Sequence, residues 1–132
     1  MDLQTKLEIK SWDERPWQTF QDGSKLTTAD VTLVGTGDGL EGSAFHAVMY
    51  YRPDGTSSFV SLMHVAGTVN GRTGSLVLQG AGTFDGSTAR NALSVVAGSG
   101  TGEMAGVRGS GESVSTHADY PFMPLILHLE FD

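Results

Sequence analysis

Between Phe59 and Val96 three apolar runs are joined by Asn70-Gly71 and Asp85-Gly86. A two-residue type I′ turn needs positive φ at both central positions, and these dipeptides supply it at little steric cost. The stretch FVSLMHVAGTVNGRTGSLVLQGAGTFDGSTARNALSVV therefore predicts a three-strand antiparallel meander. Turn geometry sets the pairing. Val69 should oppose Arg72 and Met63 should oppose Leu78. With Asp85-Gly86 central, Phe84 should oppose Ser87 and Leu78 should oppose Leu93. Opposed residues share a face, and alternation carries the assignment along each strand. If Arg52 opposes Thr56, Phe45, Met49, Phe59, Met63, Leu78 and Leu93 all fall on one face. His46, Tyr50, Leu62, His64, Gln79 and Arg90 fall on the other. Composition puts the first face inside.

The remaining chain continues the pattern. Leu3, Leu7 and Ile9 alternate with polar residues as a first strand. Ser11–Ser24 reads as an irregular segment carrying Trp12, Asp13, Glu14, Pro16 and Trp17. Strands are expected over Lys25–Val34 and Leu40–Tyr51, with a turn at Arg52-Pro53-Asp54-Gly55. After Gly98–Gly102, one helical turn is expected at Glu103–Ala105, then extended chain over Gly106–Gly111. Gly111–Ala118 and Phe122–Phe131 complete eight strands, with Leu125, Leu127, Leu129 and Phe131 inward. Residues 1–132 are thus expected to form one all-β domain, an eight-stranded antiparallel up-and-down barrel, which removes exposed sheet edges. A β-sandwich is the alternative.

Charge narrows the partners. The formal net charge is −7 and the pI about 4.8, so no basic patch is available to displace counterions from phosphates. Nucleic acid and anionic membrane are not expected as partners. No apolar run approaches the roughly 20 residues that span a bilayer. The start MDLQTKLEIKSWDER is charged from its second residue and has no apolar h-region. Cysteine is absent, which excludes disulfides, thiol catalysis and thiolate metal sites. A cytoplasmic location is expected.

The blocks SWDE, YRPDGTSSFV, NGRTGSLVLQ, GTFDG and VVAGSGTGEMAGVRG, in that order, resemble a bacterial family of unknown function with an allene-oxide-cyclase-like β-barrel, a shape shared with dirigent proteins. The resemblance covers about Ser11 to Gly111. It implies an eight-stranded barrel and self-association, and it does not carry cyclase or dirigent activity with it. The chain departs from the family pattern at three inward positions. Met63 stands where a glutamate is common, Gly80 where a histidine is, and Leu93 where a tryptophan is. The family's polar barrel centre is therefore apolar here, and acid/base chemistry at those positions does not transfer.

Few motifs carry chemistry. The Gly-x-Gly of Gly98–Gly102 lacks the long following helix of a dinucleotide fold, and there is no P-loop. No serine has a nucleophile-elbow context. His46 and His64 are diagonal cross-strand neighbours without a carboxylate partner, so no metal site is expected and surface histidines are the plainer account. Asp13 and Glu14, beside Trp12 and Trp17, are the only paired carboxylates available for acid/base work. Trp12, Glu14 and Trp17 are assigned to the barrel mouth, where they either hold a flat or cationic ligand or plug the end.

The interior offers the other lead. Phe45, Met49, Phe59, Met63, Leu78 and Leu93 form a wall, with Tyr51 and Asn91 as polar groups. Gly74, Gly80 and Gly82 on the same face are expected to leave space. Barrels of this size are either filled or hold one small ligand. Three functions follow: binding of a small apolar molecule without a cofactor, an isomerase or cyclase acting by confinement with Glu14 or Tyr51, or a self-assembling homo-oligomer.

Overall fold

The computed structural model describes residues 1–131. Long strands run over Asp2–Thr19 (β1), Lys25–Gly35 (β2), Leu40–Tyr51 (β3), Ser57–Val69 (β4), Arg72–Phe84 (β5) and Thr88–Val95 (β6). Thr101–Gly102 is a two-residue strand (β7), followed by Arg108–Thr116 (β8), a single 3-10 turn at His117–Asp119, and Phe122–Glu130 (β9). All pairings are antiparallel. The order β4-β3-β2-β1-β9-β8-β6-β5 closes on itself through β4–β5, a barrel-like ring of eight strands. β7 adds only to the start of β5.

The turns set most of the register. Asn70 and Gly71 both have positive φ, at 51° and 77°, and Val69 pairs with Arg72 and Met63 with Leu78. Arg52 N–H donates to Thr56 O, and Phe45 pairs with Met63. The turn at Asp85 is different. Asp85 N–H donates to Thr88 O, so Gly86 and Ser87 are the central pair and only Gly86 has positive φ. The Asp85 carboxylate is left free to accept from the Ser87 and Thr88 amides, which holds its pKa below the usual value. Phe84 consequently faces Ala89 rather than Ser87, and Leu78 faces Val95 rather than Leu93. A two-residue slip preserves parity, so the inward face stands: Met63, Leu78 and Leu93 are all buried while Leu62, Gln79 and Ser94 are exposed.

Two expectations fail in the irregular regions. Ser11–Thr19 is not irregular but the second half of β1, paired with β2 to Thr19 and Lys25. Glu103–Ala105 forms no helix; hydrogen-bonded turns link Thr101 to Met104 and Met104 to Val107. This excursion closes one end of the ring. Met104 and Val107 are buried as part of the main apolar cluster. Nearby, Arg72 lies over the Phe131 ring at 4.5 Å, and Thr5 Oγ1 donates to Asp38 of the β2–β3 turn at 2.9 Å.

The inward glycines do not make a void. A Cβ on Gly80 would lie 2.6 Å from Asn91 Oδ1, 2.8 Å from Leu93 Cδ2 and 2.9 Å from Ser61 Oγ. One on Gly82 would lie 2.1 Å from Arg90 O and 2.7 Å from Phe59 Cζ. At Gly74 the neighbour is Thr101 O, at 2.0 Å. Each glycine is where a neighbour has already moved in. Gly80→Leu should therefore overpack the core and lower stability by about 1–3 kcal/mol, read from a urea denaturation midpoint at unchanged slope.

Candidate functional site

The end opposite the Met104 excursion is open. β1 pairs with β9 only from Asp2↔His128 to Glu8↔Phe122, and β8 pairs with β9 only from Arg108↔Glu130 to Glu112↔Ile126. Beyond those limits β1 keeps only β2, and Ser113–Thr116 of β8 keeps only β6. The ring splays there, and the 3-10 turn with Tyr120 and a cis Pro121 spans the split. Ile9 N–H donating to Pro121 O marks its base.

Below the split lies a cavity of about 280 Å³. Phe45, Met49, Tyr51, Phe59, Met63 and Asn91 line it, as does Trp12. Leu78 and Leu93 do not. They lie in the packed layer beneath the floor, fully or nearly fully buried. Trp17 is not in the cavity wall; it is the bulged residue between the Pro16↔Thr27 and Gln18↔Leu26 pairs and is 62 % exposed. The sequence reading missed the serines of β8. Ser113 pairs with Asn91 and Ser115 with Ala89, and both serines reach the cavity. Their alternate spacing in Gly111–Thr116 was the available signal. The excursion between β6 and β8 hid which strand they would face.

A bulge brings the rim together. Ile9 pairs with Leu33 and Ser11 with Thr32, so Lys10 is the extra residue. One extra residue reverses the alternation that follows. Leu3, Leu7 and Ile9 point inward before it, Trp12 and Glu14 after it. Glu14 collects three donors from three strands: Trp12 Nε1 at 2.9 Å, Thr27 Oγ1 at 3.0 Å and Tyr51 OH at 3.0 Å. The Trp12 ring meets Phe45 edge-on at 5.9 Å. Lys25 sits over the Tyr51 ring at 5.1 Å. Asp13 points away and pairs with Arg15 in the open at 2.8 Å, so the two adjacent carboxylates do not act as a pair.

Burial pushes the Tyr51 hydroxyl up to about 12, with the Glu14 hydrogen bond and charge adding to it. Tyr51 therefore keeps its proton through the neutral range. Among the described residues no group of three or more His, Asp or Glu is placed to hold a metal ion. His46 bonds Asp30 at 2.7 Å on the exposed outer face, where His64, opposite Ala44, is its diagonal cross-strand neighbour. No helix among the described residues is long and apolar enough to cross a membrane.

Fold and site define a closed antiparallel β-ring, packed at one end and hollow at the other. The chain belongs to the family described as "Protein of unknown function (DUF3224)", which matches residues 3–124. Its fold is similar to the crystal structure of a DUF3224 protein of unknown function from Shewanella oneidensis MR-1, with a TM-score of 0.72 and 23% identity, covering 100% of this chain and 99% of that one. No curated protein matches the chain.

The Tyr51 environment has a measurable consequence. An unfolded tyrosine ionises near its ordinary value of 10.0, while folded Tyr51 holds its proton to about 12. Its contribution to stability is complete below about pH 10 and is lost as pH rises toward about 12. Stability measured by urea denaturation should fall across that window, and less so in Tyr51→Phe. Phenolate absorbance should show one late-titrating tyrosine, moved to lower pH by Glu14→Gln.

Proposed function

We propose that the protein binds a small, mainly apolar molecule in the hollow end of the ring, without chemistry. The observation that carries this reading is the cavity itself: about 280 Å³, walled by Phe45, Met49, Phe59 and Met63, at the end where β1 and β8 part from β9. An apolar cavity of about 150 Å³ is enough to take up benzene. Methionine adapts to irregular apolar shapes, so Met49 and Met63 suit a wall that must fit a guest.

An isomerase or cyclase acting by confinement is less well supported. General acid–base catalysis requires a group within hydrogen-bond reach of the reacting atom. Glu14 is outside the cavity wall and its oxygens already accept from Trp12, Thr27 and Tyr51. Tyr51, with a pKa of about 12, directs its proton to Glu14.

The test is thermal denaturation with and without a fluorescent apolar probe. The parent protein should take up the probe saturably, with an increase in Tm as ligand rises above Kd. Ala89→Phe, which fills the cavity from β6, should bind none while remaining folded. Failure of the parent to take up any apolar probe would end this reading.

A second reading, self-association, is favoured by the outer face. Val48, Val60, Ala81 and Ala92 are successive cross-strand partners on four neighbouring strands. Val60 and Leu62 are each 57 % exposed there. An apolar row across a sheet is suited to packing against a second copy, and a standard interface covers about 800 Å² per partner. Light scattering at tens of micromolar (roughly, where a standard interface persists) should show a homo-oligomer that Val60→Asp dissociates. A monomeric parent would remove the reading.

A further inference from the structure

The cavity is walled largely by aromatic rings, and two of those rings are hydrogen-bonded to one carboxylate. Trp12 of β1, Phe45 and Tyr51 of β3, Phe59 of β4, Phe84 of β5 and Phe122 of β9 all line it. Trp12 Nε1 and Tyr51 OH both donate to Glu14, at 2.9 and 3.0 Å. The third donor, Thr27 Oγ1, is neutral as well. Among the described residues no lysine or arginine is ion-paired with Glu14. Its negative charge is therefore met by dipoles, one hydrogen bond behind the cavity wall.

The face of an aromatic ring attracts a cation, and indole does so most strongly. Hydrogen bonds polarise the groups that make them, so an indole and a phenol that donate to an anion present more electron-rich faces. One such contact is already present. The exposed Lys25 ammonium lies 5.1 Å from the centre of the Tyr51 ring, and Lys25 is outside the cavity wall. A net charge of −7 raises the local concentration of cations around the molecule. Among the described residues, none that lines the cavity is charged, so an anion would find no partner there. An ammonium with N–H donors would have to leave water for walls that are mostly rings and aliphatic side chains. A quaternary ammonium has no such donors, and aromatic walls suit it.

We propose that the cavity takes quaternary ammonium ions bearing alkyl or aryl groups, held against the Trp12 and Tyr51 rings, with Glu14 supplying the charge that makes those rings attractive. Glu14 acts through the two rings and does not touch the ligand. This rests on the reading that the cavity holds a ligand, and it names the class of that ligand.

The test is titration of the full-length protein, followed by tryptophan fluorescence and calorimetry, with three probes: phenyltrimethylammonium, tert-butylbenzene and benzylammonium. The first two differ only in a charged nitrogen for a carbon. Phenyltrimethylammonium should bind about fivefold or more tightly than tert-butylbenzene, the scale of a cation–π contact withdrawn from water. Benzylammonium, with three N–H donors, should bind more weakly than the quaternary ion. Glu14→Gln keeps an acceptor for the three donors and removes the charge. It should lower affinity for phenyltrimethylammonium about fivefold and leave tert-butylbenzene unchanged, whereas a merely structural role would move both or neither. Equal binding of the ion and the hydrocarbon to the parent would overturn the proposal and leave the binding reading intact. So would an ion preference that Glu14→Gln leaves whole, or benzylammonium binding as tightly as the quaternary ion. If no probe binds the parent, the binding reading fails and the proposal with it. The parent comparison needs no variant, so it decides the matter even if Glu14→Gln does not fold.

Discussion

Everything about the open end depends on where β1 stops pairing with β9. Closing a sheet gives every strand two neighbours and removes exposed edges. Here closure is complete over the half of the ring that contains Leu7, Leu125, Leu127 and Leu129, all buried. It lapses after Glu8↔Phe122. From there β1 continues with one partner, and the wall needed to pack Phe45, Met49 and Phe59 from the other side is missing. The cavity is the space that the departing strands leave.

The bulge at Lys10 determines what borders that space. Without the extra residue, alternation from Leu3, Leu7 and Ile9 would carry Ser11, Asp13 and Arg15 inward. With it, Trp12 and Glu14 turn in instead. The aromatic ring then packs on Phe45, and the carboxylate ties β1 to Thr27 of β2 and Tyr51 of β3. Glu14 thereby braces a strand that has lost one row of backbone hydrogen bonds. This is a structural use of the acid, and it explains why the adjacent Asp13 is left in solvent with Arg15.

The packed end follows a different logic. β6 and β8 are neighbours in the ring, yet the chain between them is long enough to fold inward. It uses that length to pair Thr101-Gly102 with β5 and to bury Met104 and Val107. Gly74 allows this, since a Cβ there would collide with Thr101 O. The ring is therefore asymmetric along its axis: the excursion fills one end, and the short turns at the other end leave it hollow.

The meander was legible in the sequence because Asn70-Gly71 admits one tight turn and because side chains alternate with a period of two. Inward Met63, Leu78 and Leu93, outward Leu62 and Gln79, and an all-β eight-stranded ring follow from those local rules. Even the turn expected at Asp85-Gly86 and found at Gly86-Ser87 left the faces unchanged, since the slip was of two residues. The void, the bulge and the Asn91–Ser113 pairing were not legible, because each depends on which strands meet and how far they run together. Gly80 looked like space and is occupied by Asn91, Leu93 and Ser61. Local sequence determined which side of each strand is apolar; only the tertiary pairing, through the early parting of β9 from β1 and β8, decided where the apolar side would find nothing to pack against.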